Sequence, residues 1–358
     1  MVIQRREELN QLMNRDYKLT LETFSKYDYD WDFLKNKKIM ISGATGLIGR
    51  FFIDLIMYKN INEGLNCTIV GLCRNTKKAN EVFSDYVGNQ NLVICKQDVS
   101  EKIEYSEPVD FVIHAASNTH PIQYAEDPIG TIKTNLYGTN NLLSYCKDND
   151  VKRFILLSSF EVYGTVTDVD KISETDYGTV DILRVRSCYP ESKRLSENLA
   201  IAYSQQENVN VSIVRLSRVF GPTMMLSSSL ATAQFIKNAI NNEDIVLKSL
   251  GNQQYSYNYV GDAVTAILTV LKDGMDKEAY NVSDESYDLT LKEFATIIAS
   301  QNNRKVIHDL PSDVEKIGFS NSVMTILDST KLKELGWEPL RDIETDLKDT
   351  MKILKLGN

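Results

Sequence analysis

The chain has 358 residues, a net charge of −9, 42% hydrophobic residues and 25% charged residues. This length and composition are those of a globular protein with one large domain or two coupled ones. The acidic balance argues against a surface that binds nucleic acid or an anionic membrane, and no apolar run approaches the ~20 residues of a membrane-spanning helix.

Cysteine usage and the N-terminal segment indicate the compartment. The five cysteines have no CxxC spacing, which predicts a reduced, cytoplasmic protein without a metal site or a disulfide framework. The first residues lack the basic-then-apolar layout of a signal peptide. Residues 1–36 are charged and aromatic with helical spacing. We expect them to form a helical arm packed on the body, with a role in substrate binding or dimerisation as the alternative.

The first ordered pattern is an apolar run at 38–42, a turn with glycines at 43, 46 and 49, and a run at 50–58 that predicts a helix. A strand, a glycine-spaced turn and a helix open a dinucleotide-binding βαβ unit. Glycine lets the backbone approach a pyrophosphate, and the helix start offers it unpaired N–H groups. The alternative is an ordinary turn between a strand and a helix. The predicted pyrophosphate contacts are Gly43, Thr45, Gly46, Leu47, Ile48 and Gly49.

The end of the second predicted strand, at 68–72, bears on the choice between NAD and NADP. In the NAD fingerprint an acidic residue follows this strand and binds the ribose 2′-hydroxyl. Here residues 73–78 hold no carboxylate and are basic. They favour the 2′-phosphate of NADP, with Arg74 as the contact, and a solvated basic loop is the alternative.

Further apolar runs predict strands at 92–95, 109–113, 154–157 and 211–214, with a helix at about 128–147. Short strands that are apolar on both faces and alternate with helices predict a doubly wound α/β fold with a parallel sheet. Ligands of such sheets bind at the carboxyl ends of the strands. His114 lies at such an end but is expected to be structural. The further predicted cofactor contacts at these ends are Asp98, Val99, Ala115, Ala116 and Ser117.

Three residues predict redox chemistry at a hydroxyl group. Ser159 follows the fifth predicted strand, and Tyr189 and Lys193 lie four apart on one face of a predicted helix. A free tyrosine has a pKa near ~10, but a lysine ammonium and a positive nicotinamide ring nearby favour the phenolate. Tyr189 is therefore predicted to be a general acid/base, with Ser159 orienting the same substrate oxygen. Tyr189 and Lys193 are also predicted to contact the cofactor. Loss of the hydroxyl proton, with hydride transfer from its carbon to nicotinamide, gives a ketone.

The ordered motifs resemble those of the extended short-chain dehydrogenase/reductase family, the NAD-dependent epimerases/dehydratases, over roughly residues 37–354. They are Gly-x-x-Gly-x-x-Gly, His-Ala-Ala, Ser-Ser-x-x-Val-Tyr-Gly, Tyr-x-x-x-Lys, Arg-x-x-x-Val-Phe-Gly-Pro and Leu-Gly-Trp. Residues 161–164 and 186–189 look most like UDP-glucuronate decarboxylases, with sugar-nucleotide epimerases also similar.

The resemblance implies a domain organisation and a catalytic set. It implies a Rossmann domain at 37–219, a mostly substrate-binding region at 220–358 from which 256–286 returns to the Rossmann domain, and a homodimer. The implied catalytic residues are Ser159, Tyr189 and Lys193, with Glu161 as a fourth. A solvated or ion-paired carboxylate is the alternative for Glu161.

The substrate half departs from the family pattern. Relatives have asparagine where Arg218 stands, and they hold the substrate diphosphate with arginines where Tyr255 and Thr325 stand. Neutral groups do not replace a bidentate arginine, so we expect Arg218 or Arg184 to take the charge. The predicted substrate contacts are Ser117, Arg218 and Tyr255.

The function that the resemblance implies is conversion of a nucleotide sugar through a transient keto-sugar, by epimerisation, decarboxylation or dehydration, in surface polysaccharide synthesis. Phe160 stands where dehydratases carry an aspartate acid, which counts against 4,6-dehydration. One alternative is an NADPH-dependent keto-sugar reductase. Another is a non-catalytic NAD(P)-binding sensor or scaffold, against which the presence of both Tyr189 and Lys193 counts.

Overall fold

The computed structural model describes residues 2–27, 29–119, 121–309, 324–339 and 341–357. The helices are α1 (Val2–Phe24), α2 (Leu47–Glu63), α3 (Thr76–Val82), α4 (Pro121–Glu126), α5 (Pro128–Asp148), α6 (Cys188–Glu207), α7 (Ala231–Ile240), α8 (Val260–Asp273), α9 (Leu291–Ser300), α10 (Thr330–Lys333) and α11 (Ile343–Gly357). None of these described helices is both long and apolar enough to cross a membrane.

The strands are β1 (Lys38–Ser42), β2 (Thr68–Cys73), β3 (Leu92–Lys96), β4 (Phe111–His114), β5 (Arg153–Ser159), β6 (Val211–Leu216), β7 (Arg218–Phe220), β8 (Ile245–Leu247), β9 (Gln254–Tyr259), β10 (Glu278–Val282), β11 (Asp288–Thr290), β12 (Val306–His308) and β13 (Met324–Thr325). Each predicted strand has its counterpart. The fourth differs, because it begins at Phe111 rather than Val109 and continues to His114.

Seven of the described strands form one parallel sheet in the order β10-β6-β5-β4-β1-β2-β3. β1 pairs with β2 on one side and with β4 on the other. The chain therefore moves outward in opposite directions from β1, and the crevice above the carboxyl ends of β1 and β4 is where such sheets bind ligands. The predicted doubly wound α/β fold is confirmed.

Both faces of this sheet are buried because successive side chains point to opposite faces. Ile39 and Ile41 share a core with apolar side chains of α2 and α8, whereas Met40 shares a second core with α5 and α6. The apolar runs without polar alternation therefore follow from burial on two sides.

A smaller sheet is built around β9, which pairs with β7, β11 and β13. In its register Arg218 lies opposite Tyr257, and Thr325 lies opposite Tyr255. β8 and β12 form a separate parallel pair. Between these segments the chain returns to the large sheet, where β10 pairs with β6.

The N-terminal segment is helix α1, and it packs into the body of the protein. Its buried apolar side chains join the core that contains α2, α8 and α11. Tyr17 donates a hydrogen bond to Asp54 at 2.9 Å, and the buried Asp16 accepts one from Tyr259 and pairs with Arg341 at 2.6 Å. These contacts make α1 an integral layer of the fold.

Candidate active site

The turn between β1 and α2 allows close approach to the backbone. Gly43 has a φ of +70°, and a Cβ there would lie 2.8 Å from the Ala115 oxygen and the Ala116 nitrogen. A Cβ on Gly49 would lie 2.3 Å from the Gly43 oxygen. Helix α2 follows Gly46 without a side-chain cap, so its first N–H groups are offered to an anion. The residues fit a dinucleotide pyrophosphate. The other predicted contacts, half-buried in this turn, are Thr45, Leu47 and Ile48.

Ser42 ties the end of β4 to this turn. Its hydroxyl accepts hydrogen bonds from the backbone N–H groups of Ala115 and Ala116, both at 3.1 Å, and lies 2.8 Å from Nδ1 of His114. Burial, with a contribution from the charge of Lys193, lowers the pKa of His114 to about 3. His114 is therefore neutral, and it organises the strand end as a structural residue.

The ends of β2 and β3 bring a cation and an anion together. Arg74 is exposed, and Asp98 accepts hydrogen bonds from the Ser100 backbone N–H at 2.9 Å and hydroxyl at 2.7 Å. Partial burial raises the pKa of Asp98, but the bonds from Ser100 and the charge of Arg74 outweigh it, so the pKa is lowered. Arg74, which was predicted to bind the 2′-phosphate of NADP, thus already interacts with the carboxylate of Asp98. Val99, beside Asp98, is buried.

The predicted catalytic residues converge at the carboxyl end of β5. Lys193 donates from Nζ to the backbone oxygen of Leu157 at 2.8 Å. The hydroxyls of Ser159 and Ser117 lie near the Tyr189 phenol and lower its pKa in part. Tyr189 is 5% exposed, Lys193 3% and Ser159 8%. The structure therefore brings together the serine, tyrosine and lysine that were predicted from separate segments.

The protein groups around Tyr189 disfavour its ionisation. Burial and the Glu161 carboxylate raise the pKa of Tyr189 well above its usual value, and Ser159, Ser117 and Arg186 offset only part of this. Burial lowers the pKa of Lys193 to about 8, while Glu197 raises it. The phenolate therefore remains a prediction for the site with nicotinamide bound, because the positive ring adds a charge that favours the phenolate.

Glu161 is held in an ion pair. Its carboxylate accepts two hydrogen bonds from Arg186, at 2.9 and 3.0 Å, and its backbone N–H donates to Ser159 Oγ at 3.2 Å. This arrangement matches the ion-paired alternative and also keeps the carboxylate beside Tyr189. An acid/base role for Glu161 requires that a substrate displace Arg186.

The predicted substrate residues Arg218 and Tyr255 are in contact. The centre of the Arg218 guanidinium lies 3.8 Å from the centroid of the Tyr255 ring and 5.2 Å from that of Phe160. Phe160 separates Ser159 from Glu161 in the chain, so this contact reaches the catalytic residues. The third predicted substrate residue, Ser117, faces the Tyr189 phenol.

Comparison with known proteins identifies the family. A sequence profile of the NAD dependent epimerase/dehydratase family matches residues 39–283. The chain belongs to this family. It is 31% identical over 311 residues to UDP-glucuronic acid decarboxylase 5 of Arabidopsis thaliana, a match that covers 85% of each chain. The family resemblance is therefore confirmed.

Solved structures agree on the fold of this epimerase/dehydratase. The UDP-glucose 4-epimerase of Thermotoga maritima with UDP-glucose has a TM-score of 0.77 at 23% identity, covering 89% of this chain and 99% of that chain. The UDP-glucuronic acid 4-epimerase of Bacillus cereus, in complex with UDP-glucuronic acid and NAD, has a TM-score of 0.76 at 18% identity, covering 90% and 100%.

Three residues of this epimerase/dehydratase site were not singled out from the sequence. The Tyr124 ring stacks on Tyr189 with centroids 4.8 Å apart, and Arg186 holds Glu161. The side chain of Asn135 accepts from Ser117 at 2.7 Å and donates to Ser192 at 2.9 Å. Arg186 lay within the quoted motif at 186–189, which was a usable signal. Tyr124 and Asn135 lay in segments without a motif.

Proposed function

We propose that this epimerase/dehydratase oxidises a sugar carbon of a nucleotide sugar to a transient ketone and then reduces it again. The observation that carries the proposal is the convergence of Ser159, Tyr189 and Lys193 at the carboxyl end of β5, on the same edge of the sheet as the glycine turn. Relatives named as UDP-glucuronic acid decarboxylases and epimerases, one of them with UDP-glucuronic acid and NAD, support this substrate class.

Three residues, Ser159, Tyr189 and Lys193, each have a defined task in this chemistry. Ser159 donates a hydrogen bond to the sugar hydroxyl oxygen, and Tyr189 accepts its proton. Lys193, anchored on the Leu157 oxygen at 2.8 Å, contributes positive charge beneath the phenol. The bound nicotinamide supplies the hydride acceptor and the positive charge that favours the phenolate.

Two fates of the ketone are possible, and the group on the adjacent carbon decides between them. A ketone acidifies the adjacent C–H bond, so a carboxylate freed from Arg186 removes that proton and returns it on either face, which gives epimerisation. If the adjacent carbon instead carries a carboxylate, the ketone accepts the electron pair left when carbon dioxide departs. The position of Glu161 beside Tyr189 supports this role, and the bidentate bonds from Arg186 hold its carboxylate in place until a substrate enters.

NADP is the finer cofactor proposal, and the basic run at 73–78 supports it. The carboxylate of Asp98 beside Arg74 weighs in favour of NAD. The two are distinguished by titrating the wild type with each cofactor.

A homodimer is also proposed. Apolar side chains on α5 and α6 remain exposed: Ile129 at 66%, Ile132 at 39%, Tyr137 at 49% and Leu195 at 50%. Apolar surface of this kind on two neighbouring helices supports association with a second copy. Sedimentation equilibrium of the wild type and of a variant with Ile129→Glu and Leu195→Glu tests this. A wild-type protein that sediments as a monomer contradicts it.

The biological setting remains a proposal from the resemblance: surface polysaccharide synthesis in the cytoplasm. The five cysteines are all free, which supports a reducing compartment. Analysis of surface glycans in cells with and without the protein, together with fractionation, tests this setting.

The central experiment is turnover of a nucleotide-sugar panel by the wild type and Tyr189→Phe. We expect the variant to bind cofactor normally but to lose turnover. Retained turnover would refute the assignment. Absorbance after gel filtration separates the alternatives, because nicotinamide that stays bound supports the transient-ketone cycle. An empty protein that consumes NADPH supports a keto-sugar reductase. Partner-dependent signalling without turnover of any sugar supports a scaffold.

A further inference from the structure

A buried ion pair joins α6 to β6 near the proposed catalytic lysine. Both oxygens of the Glu197 carboxylate accept hydrogen bonds from the Arg215 guanidinium, at 3.1 and 2.8 Å, and both side chains are buried. A buried ion pair adds little net stability, because the loss of hydration offsets the attraction between the charges. Stability alone is therefore a weak reason for two charges at this position, and the neighbours of the pair indicate a second role.

Arg215 is fixed from its other side by two segments that are distant in the chain. Its Nη1 donates to the Tyr163 hydroxyl at 3.0 Å and to the backbone oxygen of Glu174 at 2.9 Å. The guanidinium lies 4.9 Å from the centroid of the Tyr163 ring, and the Tyr163 hydroxyl in turn donates to Asn281 on β10 at 2.5 Å. Contacts on both sides hold the guanidinium in one orientation, which fixes the carboxylate of Glu197 as well.

Glu197 lies four residues after Lys193, on the same face of α6. Lys193 is buried and donates from Nζ to the backbone oxygen of Leu157 at 2.8 Å. Burial lowers the pKa of Lys193 to about 8, and the Glu197 charge opposes this effect. The other titratable groups that face Lys193 are His114 on β4 and Tyr189 one turn earlier on α6, and the pKa shifts of both favour their neutral forms. Glu197 is therefore the charge among the described residues that stabilises the ammonium.

We propose that Glu197 is a positioning residue: held by Arg215, its carboxylate keeps Lys193 protonated and bonded to the Leu157 oxygen next to Tyr189. Loss of solvent and a positive nicotinamide ring both favour the neutral amine, and a fixed negative charge opposes both. Glu197 thus acts through Lys193 rather than on the substrate. The inference rests on the proposed function, since the ammonium serves the chemistry only if Tyr189 is the acid/base.

The test is a pH titration of Lys193 by NMR, with isotope-labelled lysine ε-carbons and with the Lys193 signal identified by its loss in Lys193→Arg. We expect a midpoint at about 8 in the wild type. Glu197→Gln keeps the size of the side chain but removes its charge, so the midpoint should fall by roughly one pH unit. Glu207→Gln is the matched control, because Glu207 lies on the same helix and pairs with Lys147 at 3.2 Å. It should leave the midpoint unchanged.

Further variants separate this role from a structural one. Arg215→Lys keeps the charge of Glu197 but loses the bidentate contact, so it should lower the melting temperature while the midpoint stays close to that of the wild type. If Glu197→Gln alone does not fold, the double variant with Arg215→Gln removes both charges and should show the lower midpoint. An unchanged midpoint in a folded protein without the Glu197 charge would overturn the proposal and leave the ion pair with a structural role only.

A second arm follows nicotinamide reduction against pH with a panel of nucleotide sugars that includes UDP-glucuronate and UDP-glucose. The high-pH limb of this profile should move to lower pH in Glu197→Gln by the same amount as the Lys193 midpoint. A lower midpoint in Glu197→Gln, with no turnover of any sugar by the wild type, would leave the charge assignment standing and refute the proposed function. Turnover by the wild type with the same midpoint and the same limb in Glu197→Gln would refute the inference alone.

Discussion

The guanidinium of Arg186 donates two hydrogen bonds to the carboxylate of Glu161, at 2.9 and 3.0 Å. This bidentate pair couples two groups that influence Tyr189 in opposite directions. The carboxylate raises the pKa of Tyr189 and the guanidinium lowers it. The ion pair therefore adjusts the pKa of the proposed acid/base residue, and the effect of each partner can be tested separately.

Glu161→Gln should separate the first oxidation from the later steps. Removal of the carboxylate lowers the pKa of Tyr189, so the pH profile of nicotinamide reduction should shift to lower pH. Complete turnover should fall by roughly 100-fold or more if Glu161 is a general acid/base. Rapid-mixing absorbance follows the first step, and product formation follows the whole cycle. Unchanged product formation would leave Glu161 with the structural role of an ion-paired carboxylate.

Arg186→Gln should shift the same profile in the opposite direction. Because the Arg186 charge lowers the pKa of Tyr189, its loss should move the rising limb of the pH–rate profile to higher pH. Arg186→Lys keeps a positive charge and should shift less. A profile that does not move in Arg186→Gln contradicts the electrostatic coupling, and loss of activity with the same profile would indicate a purely structural role.

Arg74→Ala should weaken NADP⁺ binding by roughly tenfold and NAD⁺ binding little, because only NADP⁺ presents a 2′-phosphate to the guanidinium. Asp98→Asn should strengthen NADP⁺ binding, since it removes a carboxylate near that phosphate. Lys77→Ala is the matched control in the same exposed basic run. Isothermal titration with both cofactors measures the difference. Equal losses for NAD⁺ and NADP⁺ in Arg74→Ala would show that Arg74 does not select the cofactor.

Removal of Arg218 from β7 should weaken binding of the substrate diphosphate, and an arginine placed on the neighbouring strand β9 should partly restore it. Arg218→Asn removes it from β7, and the double variant with Tyr255→Arg returns a guanidinium on β9. We expect UDP affinity to fall in Arg218→Asn and to recover in part in the double variant. Tyr255→Arg alone should lower the melting temperature, because it removes the stacked ring and adds a like charge. No recovery in a folded double variant would mean that the guanidinium is needed on β7 itself.

Asp346 should make the protein less stable as pH rises toward neutrality. Burial raises the pKa of Asp346 to about 7, although the Arg341 charge and the hydrogen bond from Tyr287 lower it. The unfolded carboxyl has a pKa near ~3.9, so this group's contribution to stability is complete below about pH 4 and is lost as pH rises through about 7.

Asp346→Asn removes this titration, so the decline of melting temperature between about pH 5 and pH 8 should be smaller than in the wild type. Asp168→Asn, at an exposed carboxylate, is the control and should retain the wild-type slope. Calorimetric melting curves across this range measure the effect. An equal slope in Asp346→Asn and the wild type would contradict the assignment of the pH dependence to Asp346.

The large sheet could be predicted because burial on both faces makes each of its strands a short apolar run. The predicted start of β4 at Val109 was two residues too early. At this end the Asp110 side chain accepts a hydrogen bond from the backbone of Lys38 at 2.9 Å and binds Lys152 at 2.7 Å. Both partners are distant in the chain, and strand periodicity does not report contacts of this kind.

The proposed catalytic residues stand out in the sequence because their order and spacing form motifs, whereas their contacts in the structure do not. Arg186 and Glu161 are joined by tertiary contact between two short segments, and Tyr124 reaches Tyr189 from a segment without a motif. The contact of Arg218 with Tyr255 depends on the pairing of β7 with β9, whose register has no local signal. The pKa of Tyr189 depends on enclosure by all these elements, which residue spacing does not report.

The contacts of α1 with α11 bring distant parts of the chain side by side. Arg5 donates hydrogen bonds to the backbone oxygens of Lys355 and Leu356, both at 2.9 Å. These bonds, together with the apolar core that α1 and α11 share, couple the two helices. A substitution that frays α1 is therefore expected to loosen α11 as well, so local opening of the two helices should be concerted.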